Sequence, residues 1–211
     1  MFLVLILFIN AFAKALLIDN DVAYAGAYDK LKAARVARTL VSRESLSNIN
    51  TVKDINGRKK PISMVEYYAD CDEDGDPIWL AIDIGTTFQN IKEGSEFSFS
   101  IRLGDHHPNE QVNTDYPGVI PNSPAGSPRI ILYGKLKDVV ITDPLENLKL
   151  QKCFIRRHPD AKWWLPENVV SPHQSHWTKL EVDSVYMVGG FGDRAYIGTI
   201  DSKSYHEAEL L

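Results

Sequence analysis

Short runs of β-branched and aromatic residues, divided by glycine, proline, asparagine and aspartate, constrain the fold of this chain more than any other feature. Five such runs follow one another: Leu46–Val52, Pro61–Tyr68, Ile78–Gly85, Glu96–Leu103 and Arg129–Ile141. These residue types favour extended backbone and the residues between them favour turns, so the pattern predicts a meander of strands. Near the C-terminus, Trp177–Val188 and Arg194–Ile200 flank a glycine-rich turn and predict a hairpin.

Two helices accompany the predicted strands. Over residues 25–43, apolar residues recur at the spacing of one helix face, which predicts an amphipathic helix buried along Ala33, Val36, Ala37, Leu40 and Val41. A second helix is predicted to begin at Asp143-Pro144, an N-cap candidate followed by proline, and to end at His158-Pro159. The pattern therefore indicates a mainly β protein of the α+β class.

Size and charge narrow the classes of function. The chain has 211 residues, of which 44% are hydrophobic and 24% charged, and this composition predicts one globular domain. Its net charge is −5, which leaves no general basic surface for a nucleic-acid backbone. We therefore expect no nucleic-acid partner.

The N-terminus carries the pattern of a secretory leader. Phe2–Ile9 is an unbroken apolar run, and Ala11-Phe12-Ala13 supplies the small residues that signal peptidase accepts. The sequence predicts a signal peptide over residues 1–13 and a mature domain over residues 14–211; a buried N-terminal strand or helix is the alternative. The run is shorter than the roughly 20 residues that span a bilayer, so no stable membrane insertion is expected after leader cleavage.

Cys71 and Cys153 are the two cysteines of the chain. They can form a disulfide only if the fold brings their Cα atoms within about 7 Å, and two unpaired thiols are the favoured interpretation. The acidic residues 70–76 around Cys71 are spaced as in a calcium loop, but Ala81 stands where such a loop needs a bidentate glutamate. The segment is therefore interpreted as a charged hairpin turn.

Other candidate chemistry is sparse. The histidines lack the converging ligands of a metal site, so no metal is expected, and no catalytic residue is assigned. Trp163, Trp164, Trp177 and Phe191 are interpreted as one aromatic cluster near the C-terminal hairpin. Residues 104–128 form a proline-rich loop, and a loop of this length is usually functional or disordered.

Two segments resemble a known family. Residues 154–163 read Phe-Ile-Arg-Arg-His-Pro-Asp-Ala-Lys-Trp, and residues 188–197 read Val-Gly-Gly-Phe-Gly-Asp-Arg-Ala-Tyr-Ile. They resemble the FMN-binding split-barrel (pyridoxamine 5′-phosphate oxidase-like) superfamily, and more closely its secreted CREG-like proteins. The resemblance covers nearly all of the mature chain. It implies a six-stranded antiparallel split β-barrel with flanking helices that forms a homodimer.

The resemblance also implies where a cofactor would lie. Flavin-binding relatives place FMN at the dimer interface and hold its phosphate with an arginine in the second strand and a basic pair after the third. The matching side chains here can donate hydrogen bonds but carry no charge, so we expect no bound cofactor. The alternative is FMN held at a degenerate site formed by Ser63, Thr86, Thr87 and Asn90.

CREG-like proteins have no established enzymatic activity. Resemblance to them implies a secreted or endolysosomal/vacuolar homodimer that acts through protein or ligand binding, in which residues 104–128 fill the vacated cofactor cleft. The alternative is an FMN-dependent oxidoreductase of the pyridoxamine 5′-phosphate oxidase-like class. A third hypothesis is a haem- or tetrapyrrole-handling protein, because some split barrels with a similar Gly-Gly-Phe-Gly hairpin have that role.

Overall fold

The computed structural model describes residues 30–191 and 195–211. Residues 30–43 are helical and are called α1. Within the described part, the strands are β1 (Leu46–Ile55), β2 (Arg58–Ala69), β3 (Ile78–Ile82), β4 (Phe97–Arg102), β5 (Arg129–Asp138), β6 (Ser175–Val188) and β7 (Ile197–Asp201). The later helices are α2 (Thr86–Lys92), α3 (Pro144–Arg157) and α4 (Ser202–His206). The predicted leader, residues 1–13, and the first residues of the helix predicted over 25–43 lie outside the described residues.

Six antiparallel strands close into a barrel in the order β3-β2-β1-β4-β5-β6, because β3 pairs with β6 as well as with β2. β7 extends the sheet beyond β6. Within the described strands, β2 and β3 pair only at Tyr68↔Trp79 and Ala69↔Ile78, so the barrel is split where these two strands separate. The predicted split β-barrel of the α+β class is confirmed.

Alternation along the strands fills the barrel. Ile49 of β1, Phe99 of β4, Leu132 of β5 and Val185 of β6 are successive neighbours across the sheet, and all four are fully buried. Because successive side chains of a strand point to opposite faces, the residues between them form the outer face of the barrel.

Helix α1 packs against this core with the apolar face that the sequence predicts. Its buried apolar residues are Ala33, Ala34, Val36, Ala37, Leu40 and Val41. Burying one large aliphatic side chain stabilises a fold by about 1.5–3 kcal/mol, so this helix is an integral part of the domain.

A second, smaller cluster lies between the barrel and α3. Phe154 of α3 packs edge-on against Trp177 of β6, with 5.1 Å between ring centroids, and Leu80 joins them. At the edge of this cluster Cys71 and Cys153 form a disulfide, with their Cα atoms 5.9 Å apart. The interpretation of two unpaired thiols is therefore wrong. The contact spans 82 residues of sequence and follows from how α3 docks, which no local pattern reveals.

Two short helices, α2 and α4, were not predicted. The sequence predicts a strand that continues to Gly85, but β3 ends at Ile82 and α2 begins at Thr86. Gly85 makes no side-chain capping bond, so the usual sequence signal for a helix start is missing.

The aromatic residues near the C-terminus do not form one cluster. Trp164 and Trp177 join the cluster under α3, while Trp163 and Phe191 are 60% and 46% exposed. The prediction of a single aromatic cluster is therefore wrong, because the segment after α3 turns Trp163 outward.

The acidic segment between β2 and β3 is a turn, as predicted. Cations of the same chain contact it: Arg38 lies 3.4 Å from Asp70, and Lys179 lies 2.6 Å from Asp72 and 2.7 Å from Asp74.

In the described residues, no helix has both the length and the apolar character needed to cross a membrane.

Candidate functional site

Three of the predicted cofactor residues, Thr86, Thr87 and Asn90, lie on α2. Thr87 and Asn90 are three residues apart on this helix and are both buried, so they share one helix face. Thr87 bonds to β2 and Asn90 to β1. The helix is therefore fixed to the two strands at the point where β2 and β3 have separated.

The Thr87 hydroxyl is occupied by a group of its own chain. It donates a hydrogen bond of 2.6 Å to the Glu66 carboxyl group on β2, and Thr87 is 1% exposed. Burial raises the pKa of Glu66, and the bond from Thr87 partly opposes that shift. The hydroxyl predicted to contact a phosphate therefore satisfies a half-buried carboxyl group.

The other predicted residues point to different places. The Asn90 amide donates to the Thr51 hydroxyl over 2.9 Å, and its Oδ1 atom has no hydrogen-bond partner among the described residues. Thr86 is half-buried. Ser63 is exposed and, by strand alternation from Glu66, lies on the outer face of the barrel. The structure thus brings Thr87 and Asn90 together and leaves Ser63 on the opposite face of the sheet.

These contacts do not fit an FMN phosphate. A phosphate dianion is held by cations or by several converging N–H donors, whereas Thr87 and Asn90 are buried and bonded to their own chain. The adjacent carboxyl group of Glu66 would repel an anion whenever it is ionised. FMN binding by Ser63, Thr86, Thr87 and Asn90 stays a prediction, and the geometry does not favour it.

A concave surface lies on the outer face of β1, β4, β5 and β6. This surface, called the outer groove below, has a volume of about 510 Å³, and the side chains that bear on the argument are Asn48, Ser100, Arg102, Arg129, Ile131 and Tyr186. The first row of the groove crosses four strands through the pairs Asn48↔Ser100, Ser100↔Ile131 and Ile131↔Tyr186. A concave surface of this size can bury a small organic ligand.

Two arginines stand at one end of the outer groove. Arg102 of β4 and Arg129 of β5 are directly paired across the strands. Arg102 is 67% exposed at its side chain, and its Nε lies 2.8 Å from the carboxylate of Asp105. Arg129 is exposed and donates through Nη1 to the carbonyl oxygens of Ala125 and Ser127.

The sequence of β4 holds a signal for this groove. In β4 the apolar residues Phe97, Phe99 and Ile101 alternate with Ser98 and Ser100. Such a strand has one buried face and one small, polar face. In β1, Asn48 and Asn50 lie beside Ser100 and Ser98 on that polar face. Adjacent strands with small polar outer residues indicate a sheet face that can receive a ligand, but only the register shows which residues adjoin.

Within one protomer, the proline-rich loop over residues 104–128 leaves the outer groove open. Asp105 is the loop residue that lines it. Farther along, Arg43 of α1 donates to the carbonyl oxygens of Asn113 and Asp115, and its guanidinium lies 5.0 Å from the ring centre of Tyr116. The loop thus packs beside α1 within one protomer. That it fills the vacated cofactor cleft stays a prediction, because that cleft is expected at the dimer interface.

A buried carboxyl group anchors the start of this loop. Glu44, between α1 and β1, lies 2.7 Å from His106 Nδ1 and accepts a hydrogen bond from the Gly104 N–H. Burial raises the pKa of Glu44, although the bonds from His106 and Gly104 oppose that shift.

The Arg-Arg-His-Pro segment at the end of α3 is structural. Arg157 donates to the carbonyl oxygens of Ser42, Arg43 and Glu44, which ties α3 to the α1–β1 junction. His158 is fully buried and stacks on Tyr67 with 4.2 Å between ring centroids. Burial lowers the pKa of His158. The most specific segment of the resemblance therefore holds the fold together and does not line the groove.

The family follows from a comparison of the whole chain. The family model described as CREG, beta-barrel matches residues 28–207. The chain belongs to the CREG β-barrel family. This assignment agrees with the closed six-stranded barrel and with the position of α3 across β3 and β6.

Solved structures share the fold of this CREG-family chain at low sequence identity. A heme binding protein from Mycobacterium smegmatis has a TM-score of 0.60 at 18% identity, covering 84% of this chain and 61% of that one. A protein of unknown function from Agrobacterium tumefaciens has a TM-score of 0.53 at 17% identity, covering 82% and 59%. The chain thus spans about three fifths of the length of these neighbours. No curated protein sequence matches it.

Proposed function

We propose that this CREG-family protein is a non-catalytic homodimer of the secretory pathway that acts by binding a ligand or a protein partner. The observation that carries the proposal is the state of α2. At the position where flavin-binding relatives are expected to hold phosphate, Thr87 and Asn90 are buried and bonded to their own chain. The outer groove, in contrast, is open and lined by both polar and apolar residues.

The outer face of β5, β6 and β7 supports the homodimer. Tyr133, Tyr186 and Ile197 are 43%, 37% and 47% exposed, and strand alternation places all three on this face. Tyrosine is enriched in protein interfaces because it offers a large apolar surface with one polar end. A second copy packed here would cover one side of the outer groove.

Two observations support a destination outside the cell or in the vacuole or lysosome. The disulfide between Cys71 and Cys153 is of a kind that persists in oxidising compartments. Burial also raises the pKa values of Glu44 and Glu66. The folded state therefore binds these protons more tightly than the unfolded chain does, which favours the fold at the acidic pH of an endolysosomal or vacuolar lumen.

A second candidate function is haem handling. It is favoured by the structural similarity to the heme binding protein from Mycobacterium smegmatis. An FMN-dependent oxidoreductase is the other alternative to the proposed binding function. The two alternatives differ from the main proposal in one property that is simple to observe, since both require a coloured prosthetic group.

The test combines an absorbance spectrum with the molecular mass from size-exclusion chromatography and light scattering, on the mature chain with and without added FMN or haemin. We expect a colourless dimer whose spectrum is the sum of protein and added pigment. A bound flavin band that disappears in the double variant Thr86→Ala/Thr87→Ala would establish the oxidoreductase alternative. A Soret band shifted by the protein would establish haem handling, and a monomer would remove the homodimer.

A further inference from the structure

One end of the outer groove places two positively charged side chains opposite each other on neighbouring strands. Arg102 and Arg129 face each other across β4 and β5, and like charges directly opposite in an antiparallel pair are destabilising. Asp105 neutralises one of the two. Among the described residues, Arg129 has no carboxylate within ion-pair distance. This end of the groove thus carries a net positive charge on a chain whose overall charge is −5.

Both guanidinium groups are held in place by the strand ends and the loop. The Asp105 carboxylate accepts the Arg102 backbone N–H as well as its Nε, so the side chain is tied to its own turn. Nη1 of Arg129 is directed by the carbonyl oxygens of Ala125 and Ser127. A cation fixed in this way loses little conformational entropy when it binds an anion, and a guanidinium offers a planar fork of donors for an oxyanion.

The rest of the groove offers a different chemistry. Ile131 and Tyr186 are paired neighbours next to the arginine pair, and they lie about 7 Å along the strands from it, the rise of two strand residues. Asn48 and Ser100 continue the same row and add small polar groups. The groove therefore has a cationic end and a partly apolar floor.

We propose that Arg102 and Arg129 form an anion-binding site for an organic phosphate or carboxylate whose apolar body lies over Ile131 and Tyr186. This site gives the proposed binding function a ligand class and rests on that function. None of Ser63, Thr86, Thr87 and Asn90, the residues at which the family resemblance locates phosphate binding, lines this groove.

The test is isothermal titration of the mature chain with phenyl phosphate and with benzoate, which share a ring but carry different anions. We expect at least one of them to bind, with an affinity that falls at high salt because the contact is charge-assisted. Arg129→Gln is expected to weaken that binding at least tenfold, and Ile131→Ala to weaken it less. Arg58→Gln is the matched control, because Arg58 is an exposed strand arginine outside the groove and its loss changes the net charge equally.

A second variant separates lost charge from a disturbed loop. Arg129→Lys removes the guanidinium geometry but keeps the charge, so it should retain more affinity than Arg129→Gln. Absence of binding by both probes at millimolar concentration would overturn the proposal, as would equal affinities of Arg129→Gln and Arg58→Gln. Neither result would affect the dimer mass or the absence of a flavin band, so failure of this site is distinguishable from failure of the proposed function.

Discussion

The region around α2 and the outer groove lie on the same barrel but use their polar groups in opposite ways. Beneath α2, Thr87 and Asn90 are bonded to Glu66 and Thr51 and have little contact with solvent. In the outer groove, arginine, tyrosine and serine side chains surround an open volume. Hydrogen-bonding residue types are present in both, so residue type alone does not identify a binding site. The difference lies in whether the fold has already supplied their partners.

The largest expected effect is a loss of stability of the whole domain when its disulfide is removed. Replacing both cysteines, Cys71→Ser/Cys153→Ser, removes a disulfide that closes a loop of 82 residues and should lower the free energy of unfolding by about 2–5 kcal/mol. Urea denaturation of the variant and the wild type measures this loss. Binding in the outer groove should be unchanged below the transition, because the disulfide lies at α3. A loss of binding in the folded variant would show that the regions are coupled.

The next effect tests the structural role of the α2 region. Thr87→Val removes the hydrogen bond from a buried residue to the half-buried Glu66 carboxyl group and should cost about 1–3 kcal/mol of unfolding free energy. Thermal unfolding should show a midpoint lower by several degrees. Thr86→Val is the control, since the Thr86 hydroxyl has no hydrogen bond within the described residues and should change stability by less than about 0.5 kcal/mol. Equal effects of the two substitutions would contradict the assigned role of Thr87.

A sharper comparison measures ligand binding by the α2 variant and the unfolding free energy of the groove variant. Thr87→Val should leave the affinity for phenyl phosphate or benzoate unchanged, whereas Arg129→Gln should reduce it tenfold or more. Tenfold corresponds to about 1.4 kcal/mol of binding free energy. The unfolding free energy of Arg129→Gln should stay within about 0.5 kcal/mol of wild type, as for other exposed positions. A substitution that changed both properties together would break the separation between the regions.

The smallest effect is a dependence of stability on pH through the half-buried carboxyl group of Glu66. Burial raises the pKa of Glu66 from 4.5, so below about pH 4.5 the group is protonated in both states. As pH rises through the raised pKa, ionisation of the folded state costs free energy and stability is lost. Glu66→Gln should therefore gain stability relative to wild type between pH 4 and pH 7. Glu209→Gln, at an exposed position, should show no such trend, and a parallel pH profile for Glu66→Gln would contradict the assignment.

The barrel can be predicted from the sequence because the patterns that indicate its strands and first helix are local. Alternation in β4 and the spacing of Ala33, Val36, Ala37 and Leu40 each reflect burial of one face by a single element. The disulfide, α2 and the outer groove were not accessible in this way. Cys71 meets Cys153 only because α3 docks on the barrel, and the short helix α2 is stabilised by its contacts with β1 and β2.

The candidate site illustrates the same limit. Thr87 and Asn90 were selected by their position in a family pattern, but their partners Glu66 and Thr51 lie on other elements and are not visible from spacing. The pairing of Arg102 with Arg129 depends on the register between β4 and β5, which a long intervening loop hides. Residues that adjoin through tertiary structure were therefore the ones that sequence reasoning missed.

The most direct test of the separation between the two regions is a single titration monitored by two-dimensional ¹⁵N–¹H NMR, with phenyl phosphate or benzoate added to the mature chain. We expect the backbone amide signals of Ser100, Arg102, Arg129 and Ile131 to shift with a common saturation curve, while those of α2 stay in place. Shifts concentrated at Thr86, Thr87 and Asn90, with the groove signals unchanged, would contradict the account and return the binding site to the split in the barrel.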